Sequence, residues 1–194
     1  MKRKVGIFIY NDVEIFDFTA PYEIFSSCNK LFDNKLFDVF VFAETNADVM
    51  ATGGLLIKPK YSFEDCPDLD ILVVPGGVGS REVIKDNYIL SMINKISKKS
   101  EILLSICSGV LILGKNGLFD NKKYCTHHAV YNEAEQIISN GIPCKEDRFI
   151  KVAGRIFSSA GVTAGIDASF AVIYDLYGSD KVEKTKTYME YSSY

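Results

Sequence analysis

"LLSICSGVLILG", residues 103–114, places one cysteine between two apolar runs. Residues 102–106 are typical of a buried β-strand, and residues 109–114 are typical of a buried helix. Only Cys107 and Ser108 lie between the two runs, so no loop separates them. A strand that turns directly into a helix forms a nucleophile elbow, which raises a reactive side chain above a parallel sheet. The stretch therefore predicts an α/β protein with Cys107 at such an elbow.

Strand-like and helix-like segments alternate along the chain. Short apolar runs predict strands at residues 4–10, 37–43, 70–75 and 101–106, and a pair of strands around Gly154 within residues 148–161. Helical spacing predicts further helices at residues 20–30, 87–99, 129–139, 163–178 and 179–191. Residues 51–63 are typical of an irregular hairpin. The pattern predicts one α/β domain over residues 1–194, with a mostly parallel sheet and helices on both faces.

Composition narrows the classes of function. The 194 residues are 47% hydrophobic and 24% charged, with a formal net charge of −3. No basic block stands out, which argues against a nucleic-acid-binding surface. The apolar runs are too short for a signal peptide or a membrane span, so we expect a cytoplasmic protein. The five cysteines are an odd number without CxxC spacing, which argues against a disulfide framework and a zinc site.

Cys107 is the candidate nucleophile. The turn places its sulfur at the amino end of the following helix, where partial positive charge favours the thiolate, and we expect strained backbone angles at this residue. The alternative is a buried structural cysteine, which is the more common role of a free thiol. That role is assigned to the other cysteines, Cys28, Cys66, Cys125 and Cys144. The direct strand-to-helix turn favours catalysis at Cys107.

A glycine-rich turn, Pro75-Gly76-Gly77-Val78-Gly79, ends the strand at residues 70–75. Ligands of open parallel sheets bind beyond the carboxyl ends of the strands, so this turn and Cys107 are expected to lie together. The N–H groups of Gly76, Gly77 and Ser108 are candidate donors of an oxyanion hole. The alternative is an ordinary glycine turn. The run lacks GxGxxG spacing, and no nucleotide or other cofactor is predicted.

Asp17 follows the first strand and lies between Phe16 and Phe18. Aromatic neighbours desolvate a carboxyl group and raise its pKa, which suits acid–base catalysis. The alternative, equally compatible with the residues alone, is a solvated loop acid or a cap of a helix that starts near Thr19.

His127 and His128 are the two histidines of the chain. A Cys–His pair is one form of nucleophilic catalysis. Adjacent side chains point in different directions, however, so at most one of the two is expected to serve Cys107. Partner ligands at suitable spacing are missing from the sequence, and no metal site is predicted.

Taken together, these segments resemble the ThiJ/PfpI superfamily, whose fold is flavodoxin-like and related to class I glutamine amidotransferases. The resemblance covers nearly the whole chain. The stretches that carry it resemble those of the isonitrile hydratases, in the same order: "EIFDFTAPYEIF", "ILVVPGGVG", "SICSGVLILGKNGL", "CTHHA" and "SAGVTAGIDASFAVI". The resemblance implies a nucleophile at Cys107 and an acid at Asp17, with further site residues at Gly76, Gly77, Ser108 and His127.

Two departures separate the chain from other members of the superfamily. PfpI-type proteases carry a histidine directly after the nucleophile, where this chain has Ser108, so a Cys–His protease is disfavoured. His128 stands where isonitrile hydratases have a tryptophan, so the wall of the pocket is expected to differ. The additional DNA-binding domain of related transcription regulators is not expected.

The resemblance implies a cysteine-dependent enzyme that hydrates an isonitrile, R–N≡C, to an N-substituted formamide. Two alternatives remain open. One is an amidase, protease-like or glyoxalase-like hydrolase that uses the same nucleophile, and the other is a non-enzymatic redox sensor. The expected partners are a small-molecule substrate and a second copy of the chain, because members of the superfamily commonly form homodimers. Phe16, Phe18, Tyr22 and Phe25 are candidates for that interface, with a place in the core as the alternative.

Overall fold

The central element is a seven-stranded sheet. The computed structural model describes residues 2–32 and 35–191. The strands of the sheet are β1 (Arg3–Phe8), β2 (Phe37–Ala43), β5 (Tyr61–Ser62), β6 (Ile71–Val74), β7 (Ile102–Ile106), β10 (Phe149–Val152) and β11 (Ile156–Ser159). Two small ladders lie outside the sheet, formed by β3 (Val49–Met50) with β4 (Leu56–Ile57) and by β8 (Lys123–Tyr124) with β9 (Ile142–Pro143).

The strands follow the order β10-β11-β7-β6-β1-β2-β5 across the sheet. Each pair from β11 to β5 is parallel, and β10 runs antiparallel to β11 at one edge. The inner strands therefore have the order 2-1-3-4-5 that is typical of flavodoxin-like folds. All residues of β6 and β7 are buried, which explains their nearly continuous apolar sequences. The predicted fold class is confirmed.

Helices flank the sheet in two groups. The first group consists of three helices that contact one another, α1 (Ile15–Lys30), α6 (Ala164–Tyr177) and α7 (Ser179–Tyr188). In the second group a central helix, α4 (Gly109–Lys115), contacts α2 (Ser80–Val83), α3 (Asn87–Lys99) and α5 (Tyr131–Ile137). Local signals explain some of the ends: the Asp86 carboxylate caps α3, and Gly178, with φ 80°, ends α6.

The predicted start of the first helix was too late by about one turn. The helical spacing of apolar residues placed the start near residue 20. In the structure α1 begins at Ile15, and Pro21 lies inside the helix. Asp17 therefore belongs to the first turn of α1 and not to a loop ahead of it. This difference determines where the carboxyl group of Asp17 lies.

The segment predicted as one hairpin divides into two parts. β3 and β4 pair antiparallel around a 3-10 turn at Thr52–Gly54, in which Gly53 and Gly54 have positive φ. β5 then leaves the hairpin and pairs with the edge of β2. α2, β8 and β9 were not predicted, because elements of two to four residues are too short to show a helical or strand-like spacing of apolar residues.

Candidate active site

The candidate nucleophile lies at a strained turn. Cys107 directly follows β7 and has φ 54°, the left-handed region that costs an L-residue about 1–2 kcal/mol. Its N–H donates to the Ser159 carbonyl at 3.2 Å, and its carbonyl accepts from the Thr126 hydroxyl at 2.8 Å. The prediction of unusual backbone angles at the elbow is confirmed.

Two glycines allow the elbow to approach the end of β6. A Cβ atom added at Gly109 would lie 2.1 Å from the Val74 carbonyl oxygen. A Cβ atom added at Gly76 would lie 2.6 Å from the Ser108 nitrogen and 2.8 Å from the Cys107 Cβ. Both contacts are far shorter than van der Waals contact, so the backbone of β6 and the elbow pack against each other through these glycines.

Asp17 connects three segments at the base of the elbow. Its side chain is fully buried. One carboxylate oxygen accepts from the Gly76 N–H at 3.1 Å, and the other accepts from the Val162 N–H at 3.2 Å. The Cys107 thiol lies beside this carboxyl group, close enough for each group to shift the pKa of the other. The structure therefore brings the predicted acid and the predicted nucleophile together.

Burial raises the pKa of Asp17 to about 7. The hydrogen bond from Gly76 and the neighbouring Cys107 thiol oppose this shift, and the nearby Glu14 carboxylate adds to it. Of the two flanking aromatic residues, Phe18 is buried, whereas Phe16 is exposed. The alternative of a solvated loop acid is wrong, because Asp17 has no contact with solvent.

The expected thiolate at Cys107 is wrong. Burial and the neighbouring Asp17 carboxylate raise the pKa of the thiol to about 12. The Ser108 N–H at the start of α4 lowers the pKa, as a helix amino end should, but burial and the Asp17 charge outweigh it. At neutral pH the pair therefore consists of a protonated thiol and a carboxyl group whose pKa lies close to that pH. Asp17 is placed to act as the base that removes the thiol proton.

The glycine turn holds the site together. The Gly76 N–H is bound to Asp17, and the Gly77 N–H donates to the Ser108 hydroxyl oxygen at 2.9 Å. The Ser108 hydroxyl in turn donates to the Gly77 carbonyl at 3.0 Å. The Gly76 and Gly77 donors thus have intramolecular partners and do not form the open oxyanion hole that the sequence predicted. Any contact of these two donors with a substrate stays a prediction that requires these bonds to change.

His127 lies beside the site without a bond to the nucleophile among the described residues. Its ring packs on Gly161, next to the residue that donates to Asp17, and its Nδ1 accepts from the Ala129 N–H at 3.3 Å. Burial and the charges of His128 and Arg81 lower its pKa. A role for His127 in substrate binding stays a prediction, and His128 is exposed.

Three residues of the site were not named as site residues from the sequence. Tyr10 is buried and its hydroxyl donates to the Pro75 carbonyl at 2.8 Å. Thr126 binds the carbonyl of Cys107. Val162 has φ 52° and presents its N–H to Asp17, although a β-branched residue rarely adopts such an angle. All three contacts join residues far apart in the chain, so no local pattern encodes them.

Known proteins with similar sequences place the chain in a family. The model of the DJ-1/PfpI family matches residues 3–174. The chain belongs to the DJ-1/PfpI family. Isonitrile hydratase of Pseudomonas putida is 31% identical over 192 residues, which cover 99% of the chain and 80% of that protein. The family membership predicted from the sequence is confirmed.

Other members of the DJ-1/PfpI family carry different names. The HTH-type transcriptional regulator GbdR of Pseudomonas aeruginosa is 21% identical over 92% of the chain and 48% of that protein. The crystal structure of a ThiJ/PfpI family protein from Pseudomonas syringae superimposes with a TM-score of 0.89 at 26% identity, covering the whole chain and 77% of that structure. Membership in the family therefore establishes the fold and leaves the specific activity open.

Metal binding and membrane insertion are two further properties that the described residues bear on. Within the described residues, no three or more His, Cys, Asp and Glu side chains are grouped so that they could hold a metal ion. None of the helices in the described parts of the chain is both long and apolar enough to span a membrane.

Proposed function

We propose that this member of the DJ-1/PfpI family hydrates an isonitrile, R–N≡C, to an N-substituted formamide. The observation that carries the proposal is the buried Asp17 carboxyl group beside the thiol of Cys107 at a strained elbow. A carboxyl group with a pKa of about 7 can both accept and return a proton at neutral pH. The identity of 31% with isonitrile hydratase supports this choice of substrate class.

The first step joins the sulfur to the isonitrile carbon. Asp17 accepts the thiol proton, and the sulfur lone pair forms an S–C bond with the terminal carbon. Asp17 then returns the proton to that carbon, which gives a thioimidate, R–N=CH–S–Cys107. Because the thiol pKa is high, proton removal has to accompany formation of the S–C bond. The short separation of the two side chains serves this coupling.

The second step releases the product. Water adds to the thioimidate carbon while Asp17 accepts a proton from the water. The C–S bond then breaks, the nitrogen takes up one of the two protons of the water and the sulfur takes up the other, while the original thiol proton stays on the formyl carbon. The products are R–NH–CHO and the free Cys107 thiol, so one water is consumed and no oxidant or reductant is required.

The hydrogen bonds that the N–H groups of the glycine turn already make support hydration over amide hydrolysis. Amide hydrolysis develops negative charge on a carbonyl oxygen in its first step, which free backbone donors would have to bind. The Gly76 and Gly77 N–H groups are occupied by Asp17 and Ser108. Attack on an isonitrile carbon creates no oxyanion in the first step. A redox sensor has less support, because such sensors use exposed thiols of low pKa and Cys107 is buried with a raised pKa.

A substrate panel tests the proposal. Purified protein is given p-nitrophenyl isocyanide, methylglyoxal and a set of small primary amides, and Cys107→Ala serves as the control. We expect formation of the N-substituted formamide from the isocyanide and its complete loss in Cys107→Ala. Turnover of methylglyoxal or of an amide, with no formamide from the isocyanide, would contradict the proposal and favour a hydrolase or glyoxalase-like enzyme.

A further inference from the structure

The peptide group of Cys107 is held at both ends. Its N–H extends the pairing of β7 with β11 through the Ser159 carbonyl at 3.2 Å. Its carbonyl accepts from the Thr126 Oγ1 at 2.8 Å and has a longer contact of 3.5 Å with the Val110 N–H. The bond to the Ser159 carbonyl belongs to the sheet, whereas the bond from Thr126 comes from a side chain outside the sheet. The hydroxyl of Thr126 therefore provides the short contact to the carbonyl at this strained residue.

Thr126 is itself fixed by its neighbours. It is 1% exposed, and its N–H donates to the Tyr131 hydroxyl at 3.4 Å. The preceding residue, Cys125, is held by Ser158 of β11. The Ser158 hydroxyl accepts from the Cys125 N–H at 3.1 Å and donates to the Cys125 carbonyl at 2.7 Å. β11 also supplies Ser159, the partner of the Cys107 N–H. One strand thus positions both groups that hold the nucleophile's peptide.

A non-glycine residue in the left-handed region persists only where its surroundings impose that conformation. We propose that Thr126 is a positioning residue for the nucleophile: its hydroxyl holds the Cys107 carbonyl and so keeps the strained elbow that presents the sulfur to Asp17. The bond reaches the backbone of the elbow and leaves the sulfur free to react. The inference concerns the thiol alone, so it stands or falls independently of isonitrile turnover.

The test measures alkylation of Cys107 by iodoacetamide between pH 5.5 and 9.5, followed by peptide mass spectrometry. In the wild type, ionisation of Asp17 provides a base for the thiol, so the rate profile has an inflection near pH 7 that Asp17→Asn lacks. In Thr126→Val, which removes the hydroxyl and keeps the shape, we expect the inflection to vanish and the rate at pH 8 to fall about tenfold, the upper end of what one hydrogen bond contributes. Thr126→Ser keeps the donor and should retain the inflection.

Thr185→Val is the matched control for a general loss of stability. Thr185 is a fully buried threonine whose hydroxyl also donates to a backbone carbonyl, that of Lys181 at 2.7 Å, within α7. This variant should keep the inflection near pH 7. If Thr126→Val does not fold, Thr126→Ala removes the same hydroxyl without adding a methyl group. A folded Thr126→Val or Thr126→Ala that keeps the inflection and a rate within twofold of the wild type overturns the proposal, as does a folded Thr126→Ser that loses the inflection.

Discussion

Cys107 and Asp17 form one proton-transfer unit. The Asp17 charge raises the pKa of the thiol, and the neighbouring thiol lowers the pKa of the acid. Groups coupled in this way titrate as a pair. Burial, the first cause of both shifts, favours the neutral form of each group. Near neutral pH the resting pair therefore consists of a protonated Cys107 thiol beside an Asp17 side chain that is partly carboxylic acid and partly carboxylate.

Asp17→Asn removes the proton acceptor and keeps the size of the side chain. We expect a folded protein whose turnover of an isonitrile falls by about 100-fold or more, the scale of general acid–base catalysis. The measurement is the steady-state rate of formamide production. Asp167→Asn is the matched control, because Asp167 also lies in the first turn of a helix but pairs with Arg148 near the surface. Wild-type turnover in Asp17→Asn would contradict the proposed mechanism.

Burial of Asp17 also predicts how stability depends on pH. Its pKa of about 7 in the folded protein lies above the value of about 3.9 in an unfolded chain. Between these values the folded state holds a proton that the unfolded state has lost, so the free energy of unfolding decreases as pH rises from about 4 to about 7. The slope from one such group is at most about 1.4 kcal/mol per pH unit.

Asp17→Asn should lack this contribution. We therefore expect the stability of the variant relative to the wild type to increase as pH rises from 4.5 to 7.5, measured by urea unfolding. His127 has a lowered pKa in the folded protein and contributes a pH dependence of opposite sign near its own titration. That contribution is present in both proteins and cancels in the difference. A difference that stays constant over this range would show that Asp17 is not a buried acid of raised pKa.

At the scale of elements, the site depends on how closely β6, β7 and α4 approach one another. α4 starts immediately after the elbow, and its first residue, Gly109, lies against the carbonyl of the last residue of β6. Arg81 of α2 ties the glycine turn to α5, with two bonds to Glu133 at 2.7 and 2.9 Å and one to the Gly77 carbonyl at 3.2 Å. The elements thus bring the glycine turn and the elbow into direct contact.

Gly109→Ala tests this close approach. The added Cβ would meet the Val74 carbonyl, a backbone atom that cannot move aside without shifting β6. We expect a loss of about 2–3 kcal/mol in the free energy of unfolding, the scale of overpacking a core. Gly165→Ala is the comparison, since its Cβ would meet only side-chain atoms of Ile106 at 3.1 Å. Equal losses in the two variants, measured by urea unfolding, would argue against a special constraint at Gly109.

At the scale of the whole molecule, exposed apolar side chains surround the candidate site. Phe16 neighbours Asp17 in α1, Val78 belongs to the glycine turn, and Val162 donates its N–H to Asp17. They are 40%, 66% and 39% exposed, and Tyr22 of the same helix α1 is 39% exposed. Phe18 and Phe25, the other two aromatic residues considered for an interface, belong to the core. Large apolar side chains that are left exposed in this way favour contact with another protein surface.

We propose that a second copy of the chain covers this surface. Light scattering at micromolar concentration should show a homodimer. Phe16→Glu places a charge in the surface and should shift the protein toward the monomer, because a buried charge without a partner is unfavourable. Tyr174→Glu alters a side chain of α6 that is 61% exposed and should leave the assembly unchanged. A monomeric wild type would remove the proposal.

Local sequence patterns determined most of the fold and the position of the nucleophile. The apolar runs of β6 and β7, the period of α3 and the direct strand-to-helix turn at Cys107 are properties of neighbouring residues, so they could be recognised without a structure. The start of α1 could not, because the helical spacing recognised in residues 20–30 did not extend to the first turn at Ile15. Asp17 was named from the sequence as the candidate acid for Cys107. The structure places it beside the thiol, and its catalytic role stays a prediction.

Tertiary structure alone decided the chemistry of the pair. Burial of Asp17 and Cys107 depends on segments distant in sequence, and burial is what sets both pKa values. The amino end of the helix could be recognised from the sequence, and it lowers the pKa of the Cys107 thiol. This local effect is weaker than the desolvation produced by packing, which raises the same pKa. The occupation of the Gly76 and Gly77 N–H groups and the bond from Thr126 to Cys107 are likewise long-range contacts. Hydrogen-bond partners and solvent exposure arise only when distant segments pack together, so no pattern of neighbouring residues could reveal them.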